Sequence, residues 1–380
     1  MVLEGTKSVF HSRLLLGRPV TRLSWLDGTS ASTDQGCLLT STSLGQKHRL
    51  SVIRVELSTP AEQDGIASQD AQVPSSCHLV HHVERHAFLP GAVTTVMHSL
   101  QSQDGKSSLV AMGLETGSIA VHDISIDPSI NIKPLSLYPL HRFPTGVTSP
   151  CTAIAPQPTS SSQQEIMSVG EDGAVAFTHL LTGQSNRTDL DAYPLTSAAW
   201  STPHETFAGN SRGRVFLIDP RDPSSSSLAL PCLGKKPSSI LSITAHPTQS
   251  SIIATGDTSG YVSIWDIRHG LKEPQTRLEL HSGPVWDLTF HPTQPDLLLS
   301  ASEDGSMVEC QWDRKGHNML LGLNPTMHRR SSPLNEGFGL RTITFHPSLD
   351  LGATAGAGGS DTQYQPLLSV LFVPKSQEIM

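Results

Sequence analysis

Three groups of residues in this sequence have the types that do chemistry. Gly209-Asn210-Ser211-Arg212-Gly213 carries the G-x-S-x-G pattern of nucleophile elbows, in which a strained turn lifts a serine oxygen clear of a sheet. That elbow needs a helix after it, whereas the RVFLID that follows, residues 214–219, alternates as a strand does. His78, His81, His82 and His86, in HLVHHVERH, are imidazoles of the kind that hold zinc. On a strand His78 and His82 share a face and His81 does not, and no Cys-x-x-Cys accompanies them, so a partly exposed outer strand is the better reading. The glycine-rich ATAGAGGSD, Ala353 to Asp361, lacks the Lys-Ser/Thr of a phosphate loop and reads as a flexible hairpin. No catalytic, cofactor-binding or metal-binding residue is therefore expected.

The elements that carry these groups repeat. Between Ile240 and Asp313 the same phrase occurs twice, as ILSITAHPTQSSIIATGDTSGYVSIWD and as PVWDLTFHPTQPDLLLSASEDGSMVECQWD. Each copy has an alternating run, a His-Pro turn, a second apolar run, a tight glycine turn and a third run ending in Trp-Asp. His246 and His291 are 45 residues apart, and so are Gly260 and Gly305. Short strands at this period, closing on Trp-Asp, are the signature of WD-repeat propeller blades.

Ala245 and Phe290 end the first strand of each copy; counting back by 45 lands on Trp200 and then Ala155, and a step of 55 forward reaches Phe345. Looser copies end their first strand near Met97 and at Trp25, which makes seven. The expectation is an all-β, seven-bladed propeller forming a single domain over 1–380. The last blade stops after PLLSVLFVP, residues 366–374, and the apolar run of residues 8–17 has no blade of its own. That run is expected to supply the missing strand and close the ring, because closure removes exposed strand edges. Residues 58–77 and 325–337 are polar and are expected to be surface loops, as are the serine-rich runs 159–165 and 222–227.

A second ruler runs from the turn glycine to the Trp-Asp pair. Gly260 leads to Trp265-Asp266 after five and six residues, Gly213 to Ile218-Asp219, Gly117 to His122-Asp123 and Gly173 to Thr178-His179. Gly305 reaches Trp312-Asp313 only after two extra residues, which reads as a bulge or shifted register. In a regular blade a His before the first strand, a Ser or Thr in the second, an Asp at the turn and the Trp form a hydrogen-bonded network. The sixth blade offers His281, Ser300 or Ser302, Asp304 and Trp312 for it, and the fifth offers Trp265 and Asp266. Buried imidazole and indole N–H groups must find partners, so the expected role is structural.

The net charge of −8 and a pI near 6.1 argue against nucleic acid, which selects a Lys/Arg excess. Five scattered cysteines, Cys37, Cys77, Cys151, Cys232 and Cys310, suit free thiols in a reducing compartment. The N-terminal apolar run is too short for a signal peptide, no segment reaches membrane-spanning length, and no amphipathic helix of useful length is visible. A soluble, nucleocytoplasmic protein is expected, in which the Asn186-Arg187-Thr188 sequon is idle.

SPCTAIAPQP, EIMSVGEDGAVAFTH, AHPTQSSIIATGDTSGYVSIWDIRHG and HSGPVWDLTFHPTQPDLLLSASEDGSMVECQWD, taken together, resemble the small WD-repeat nucleoporin family of the Y-shaped scaffold of the nuclear pore. The resemblance runs from about Ser149 to Asp313, with a weaker echo near the C-terminus, and the spacing before Trp312 departs from it. It implies a structural, non-catalytic subunit at the nuclear envelope. Its implied partners are other nucleoporins, a short-arm α-solenoid and a neighbouring propeller, with no nucleic acid and no direct membrane insertion. Other WD adaptors, such as a ubiquitin-ligase substrate receptor or a chromatin-complex subunit, would share the fold and differ in their faces. An enzyme would have only Ser211 and the histidine cluster to work with.

Overall fold

The computed structural model describes residues 11–15, 20–26, 35–44, 46–58, 78–95, 98–101, 107–126, 129–158, 165–222, 228–229, 238–269, 274–292, 294–311, 330–331, 339–345, 351–358 and 365–372. Among them nearly all regular structure is antiparallel β, and the one helical turn is the 3-10 turn Ile267–His269. Among the described residues no helix is long and apolar enough to cross a membrane.

The strands form seven four-stranded sheets. β1 (His11–Leu15) leaves the strands that follow it and joins the last sheet. β2 (Val20–Trp25), β3 (Gln35–Leu44), β4 (Lys47–Ser58) and β5 (His78–Leu89) make the first sheet. β6 (His98–Gln101), β7 (Ser107–Gly113), β8 (Ser118–Ser125) and β9 (Asn131–Pro139) make the second. The third holds β10 (Cys151–Pro156), β11 (Glu165–Gly170), β12 (Ala174–His179) and β13 (Ser185–Asp189). The fourth holds β14 (Leu195–Thr202), β15 (Glu205–Asn210), β16 (Val215–Ile218) and β17 (Leu228–Ala229). The fifth holds β18 (Ile240–Ala245), β19 (Ile252–Asp257), β20 (Tyr261–Asp266) and β21 (Thr276–Glu279). The sixth holds β22 (Val285–Phe290), β23 (Leu297–Ser302), β24 (Met307–Gln311) and β25 (Arg330–Ser331). β26 (Gly339–Phe345), β27 (Leu351–Gly358) and β28 (Gln365–Phe372) complete the last sheet, with β1 antiparallel to β28 from His11↔Leu371 to Leu15↔Leu367.

Local chemistry accounts for the hairpins. Gly117, Gly173, Gly213, Gly260 and Gly305 all turn between second and third strands with φ between 73° and 86°. At Gly260 a Cβ would also run into the carbonyl oxygen of His281, so only glycine fits. The His-Pro turns repeat one device: His246 and His291 are buried, and their Nδ1 atoms accept from the backbone N–H of Gln249 and Gln294 at 3.0 and 3.2 Å. Burial pushes the His246 imidazole below its ordinary pKa, which suits an acceptor nitrogen.

Burial follows strand position. Second strands such as β19 and β23 are buried on both faces, while β9, β13 and β21, at the outside, are largely exposed. The apolar clusters therefore lie between neighbouring sheets. One joins Ile252, Ala254 and Val262 to Val285, Leu288 and Leu298, and another joins Met167, Val175 and Phe177 to Trp200 and Ala208. Each sheet is stabilised by its two neighbours, as in repeat proteins. First strands lie against first strands all the way round, from β2 through β6, β10, β14, β18, β22 and β26 back to β2.

Several details differ from expectation. The first strand of the second sheet begins after Met97, at His98, and Val93 makes an isolated bridge to Leu114. Ser58 belongs to β4, residues 59–77 lie outside the described residues, and in 325–337 Arg330–Ser331 pair with Glu309 and Val308. Cys37, Cys151 and Cys310 are free and buried, whereas Cys77 and Cys232 lie outside the described residues.

Candidate functional site

A cavity of about 610 Å³ is lined mostly by first strands of six sheets, together with Thr94 and Thr95, which lie ahead of β6. These six strands carry a register shift, at the second residue in five, held by Thr21, Thr152, Thr196, Leu241 and Trp286, and at the third residue of β26, Arg341. Around the cavity runs a closed belt of hydrogen bonds, each from one sheet to the next. Arg22 donates to the carbonyl of Thr94, Thr94 to Cys151, Thr152 to Leu195, Thr196 and Ser197 to Ile240, and Ser242 to Val285. Asp287 then accepts from Ile343 N–H at 2.8 Å, and Arg22 closes the circle by donating to the Arg341 carbonyl at 3.1 Å. Neutral hydroxyls link the middle sheets, and charged groups hold both flanks of the last one.

Burial pushes the Asp287 carboxyl up to about 6, against hydrogen bonds from Ile343 and Leu288 and the nearby Arg22 charge. A carboxyl raised on folding takes up protons, so its contribution to stability grows as pH falls from above 6 towards 3.8. The wild type is expected to gain on the order of 2 to 3 kcal/mol over Asp287→Asn across that window. Melting temperatures of the two proteins from pH 4 to pH 8 check this; parallel curves would refute it.

Two buried polar networks tie the loop before a sheet to the turn within it. His141, ahead of β10, meets Ser168 Oγ on β11 through Nε2 at 3.0 Å and Asp172 Oδ1 through Nδ1 at 3.1 Å. Asp172 also accepts from the backbone N–H of Arg142 and Ala174 and from Arg187. Burial alone would raise the Asp172 carboxyl, but the hydrogen bonds from His141, Ala174 and Arg187 outweigh it and hold the group below the usual carboxylate range. In the sixth sheet His281 Nε2 meets Ser300 Oγ and its Nδ1 meets Ser306 Oγ, both at 2.8 Å. Asp304 accepts from Ser282 N–H, Ser306 N–H and the Ser306 hydroxyl.

Ser–His–Asp in this order is the arrangement of a hydrolytic triad. Here Ser168 and Ser300 have no exposure, and their hydroxyls face the carbonyls of Ala176 and Val308. No substrate carbonyl can reach either oxygen.

Of the residues expected in one network, His281, Ser300 and Asp304 are brought together and Ser302 instead donates to the Gly283 carbonyl. Trp265 belongs to the fifth sheet, where its indole N–H donates to Thr255 at 3.0 Å. Asp266 serves the opposite end of that sheet, accepting from Arg268 N–H and its guanidinium. Trp312 lies outside the described residues. The bulge or shifted register expected before it is absent from β24, which pairs with β23 without a shift from Ala301↔Met307 to Leu297↔Gln311. Cys310, opposite Leu298, takes the place that Trp265 holds opposite Ile253, so the pair simply falls after the strand. The His141 network was not anticipated. Its signal was a serine four residues before an Asp-Gly turn, as in Ser300 and Asp304, masked by a longer loop after the histidine.

Ser211 lies in the hairpin turn between β15 and β16, with strands on both sides and no helix. A fluorophosphonate probe is expected to leave the protein unlabelled; labelling lost in Ser211→Ala would make it a nucleophile. His78, His81, His82 and His86 lie on β5, at register positions opposite Ser58, Val55, Arg54 and Ser51. The Gly-rich run supplies β27 up to Gly358, a paired strand and not a phosphate loop.

Comparison with known proteins gives these features a setting. The family model "WD domain, G-beta repeat" matches residues 272–308. Nucleoporin Nup43 of Mus musculus is 32% identical over 189 residues, 46% of this chain and 46% of the relative. The similarity is to the small WD-repeat nucleoporins. Nucleoporin Nup43 of Homo sapiens is 31% identical over 182 residues, 45% and 43% of the two chains. Nuclear pore complex protein nup43 of Dictyostelium discoideum is 27% identical over 159 residues, 41% and 37%. The matched stretch spans less than half the length of each relative. Antiparallel sheets carrying a WD repeat are the make-up of a WD β-propeller, and these relatives are nuclear pore proteins.

Proposed function

We propose that the chain is a non-catalytic scaffold subunit of the nuclear pore, at the nuclear envelope, built as a seven-bladed propeller whose N-terminal strand closes the last blade. The observation that carries the function is the similarity, over somewhat under half of the chain, to nucleoporins of three organisms. The closed belt of hydrogen bonds and the β1–β28 pairing support the ring. The His141 and His281 networks act as internal braces, since their serines face carbonyls within the fold. A rigid ring offers two faces and a rim for docking and has no reaction to perform. Its partners in this reading are an α-solenoid nucleoporin and a neighbouring propeller of the Y-shaped complex, with neither nucleic acid nor membrane insertion involved. Affinity purification of the tagged chain from its own cells, read by mass spectrometry, is expected to recover those subunits. Recovery of a ubiquitin-ligase or chromatin complex without nucleoporins would replace this reading with that of another WD adaptor.

A further inference from the structure

We infer that the turn end of the fourth sheet docks an acidic segment of a partner protein. Tyr193 leads into β14, and the turn between β15 and β16 carries Arg212 and Arg214. The pairing of Leu195 with Asn210 brings the two segments to the same end. Both arginines are exposed, and among the described residues neither makes an ion pair. Several other exposed or half-exposed arginines are engaged: Arg187 with Asp172 and Asp189, Arg221 with Asp219, Arg277 with Asp257 and Arg341 with Glu303. Acidic groups outnumber basic ones, 34 to 26, so partners for Arg212 and Arg214 are abundant in the chain and yet are placed elsewhere. Asp191, the carboxylate beside the turn, is taken by Asn210 Nδ2 at 2.6 Å.

The turn that carries both arginines is also ordered beforehand, and so is the Arg212 guanidinium. Asn210 Oδ1 accepts from the backbone N–H of Arg212 and Arg214 at 2.9 and 2.8 Å, which holds both positions on one rigid turn. Arg212 stacks over the Tyr193 ring at 4.6 Å, while the ring stays 41% exposed. Planar guanidinium forks match carboxylates in two-point hydrogen bonds, and an exposed tyrosine beside them offers flat apolar area. Because this geometry exists before binding, little ordering opposes it. Two arginines in a chain of net charge −8 are too few to follow a phosphate backbone, so a protein segment is the fitting occupant. The inference rests on the scaffold reading above and gives its docking a place and a chemistry.

The test is fluorescence anisotropy of the full chain with a labelled peptide of three Glu-Asp-Leu-Glu repeats. The wild type is expected to bind it in a salt-sensitive way. Arg212→Ala with Arg214→Ala should weaken binding by about ten-fold or more, and the paired Lys substitutions by less. Arg341→Ala, which removes an arginine already held by Glu303, should change nothing. No binding by the wild type, binding by the double alanine variant within two-fold of wild type, or a preference for an RNA oligonucleotide would each overturn the inference. Those results leave recovery of nucleoporins by the tagged chain untouched, so the two readings fail separately. Melting curves of the variants, expected to match wild type because both side chains are exposed, exclude misfolding as a cause.

Discussion

Deleting residues 1–17 is expected to lower the melting temperature by roughly 6 °C or more. β1 contributes five residue pairs to β28, and without it β28 becomes an open edge. About five ladder hydrogen bonds at about 1 kcal/mol each amount to about 5 kcal/mol, and in a chain of 380 residues each kcal/mol moves the transition by about 1 °C or slightly more. The effect reaches beyond one sheet, because the last sheet separates the sixth from the first and each is held by its neighbours. A synthetic peptide of residues 1–17, added in trans, should recover part of the loss. A deletion variant that melts with the wild type, or that ignores the peptide, would remove β1 from the closure of the ring.

The second large effect is expected at His141. Its side chain has no exposure, and replacement by alanine leaves the Asp172 carboxylate, also without exposure, and the Ser168 hydroxyl short of a donor or acceptor each. Losing two buried hydrogen bonds and opening a cavity should cost about 3 kcal/mol in urea unfolding, with Ser168→Ala costing about 1 kcal/mol. A loss under about 0.5 kcal/mol would refute the bracing role. His281→Ala should act alike in the sixth sheet. The two networks share no residue, so the double variant should lose the sum of the two.

The pH dependence carries a further sign. Because Asp172 titrates below 3.8 when folded, its contribution is complete above that pH and is lost as the solution is acidified through its folded value. His141→Ala, which removes a cause of that depression, should show a shallower loss of stability in acid. Asp287 has the opposite sign, with stability gained on acidification from above pH 6. The two carboxylates thus separate experimentally, one by its behaviour below pH 4 and the other above it.

Much of the chain was legible because its signals are local. Alternation marks a strand whatever lies beside it, and a glycine with φ near 80° marks a turn that no β-branched residue can make. That is why Gly117, Gly173, Gly213, Gly260 and Gly305, the ruler glycines, all turn between second and third strands. The resemblance to nucleoporins likewise rests on linear wording, which survives translation into structure.

What tertiary structure alone decided concerns partners far apart in sequence. Strand register is counted from the turn, so Cys310 holds in the sixth sheet the position that Trp265 holds in the fifth. Nothing local marks Asp287; it is the next sheet that brings the Ile343 amide to it. The same holds for Arg212 and Arg214, which make no ion pair among the described residues, while Asp191 beside their turn accepts from Asn210. Residue type and spacing determined the strands and turns, since backbone preferences act within a few residues. Which buried polar groups meet, and which charges are left exposed, depends on how sheets pack about 45 residues apart, and only the closed arrangement sets that.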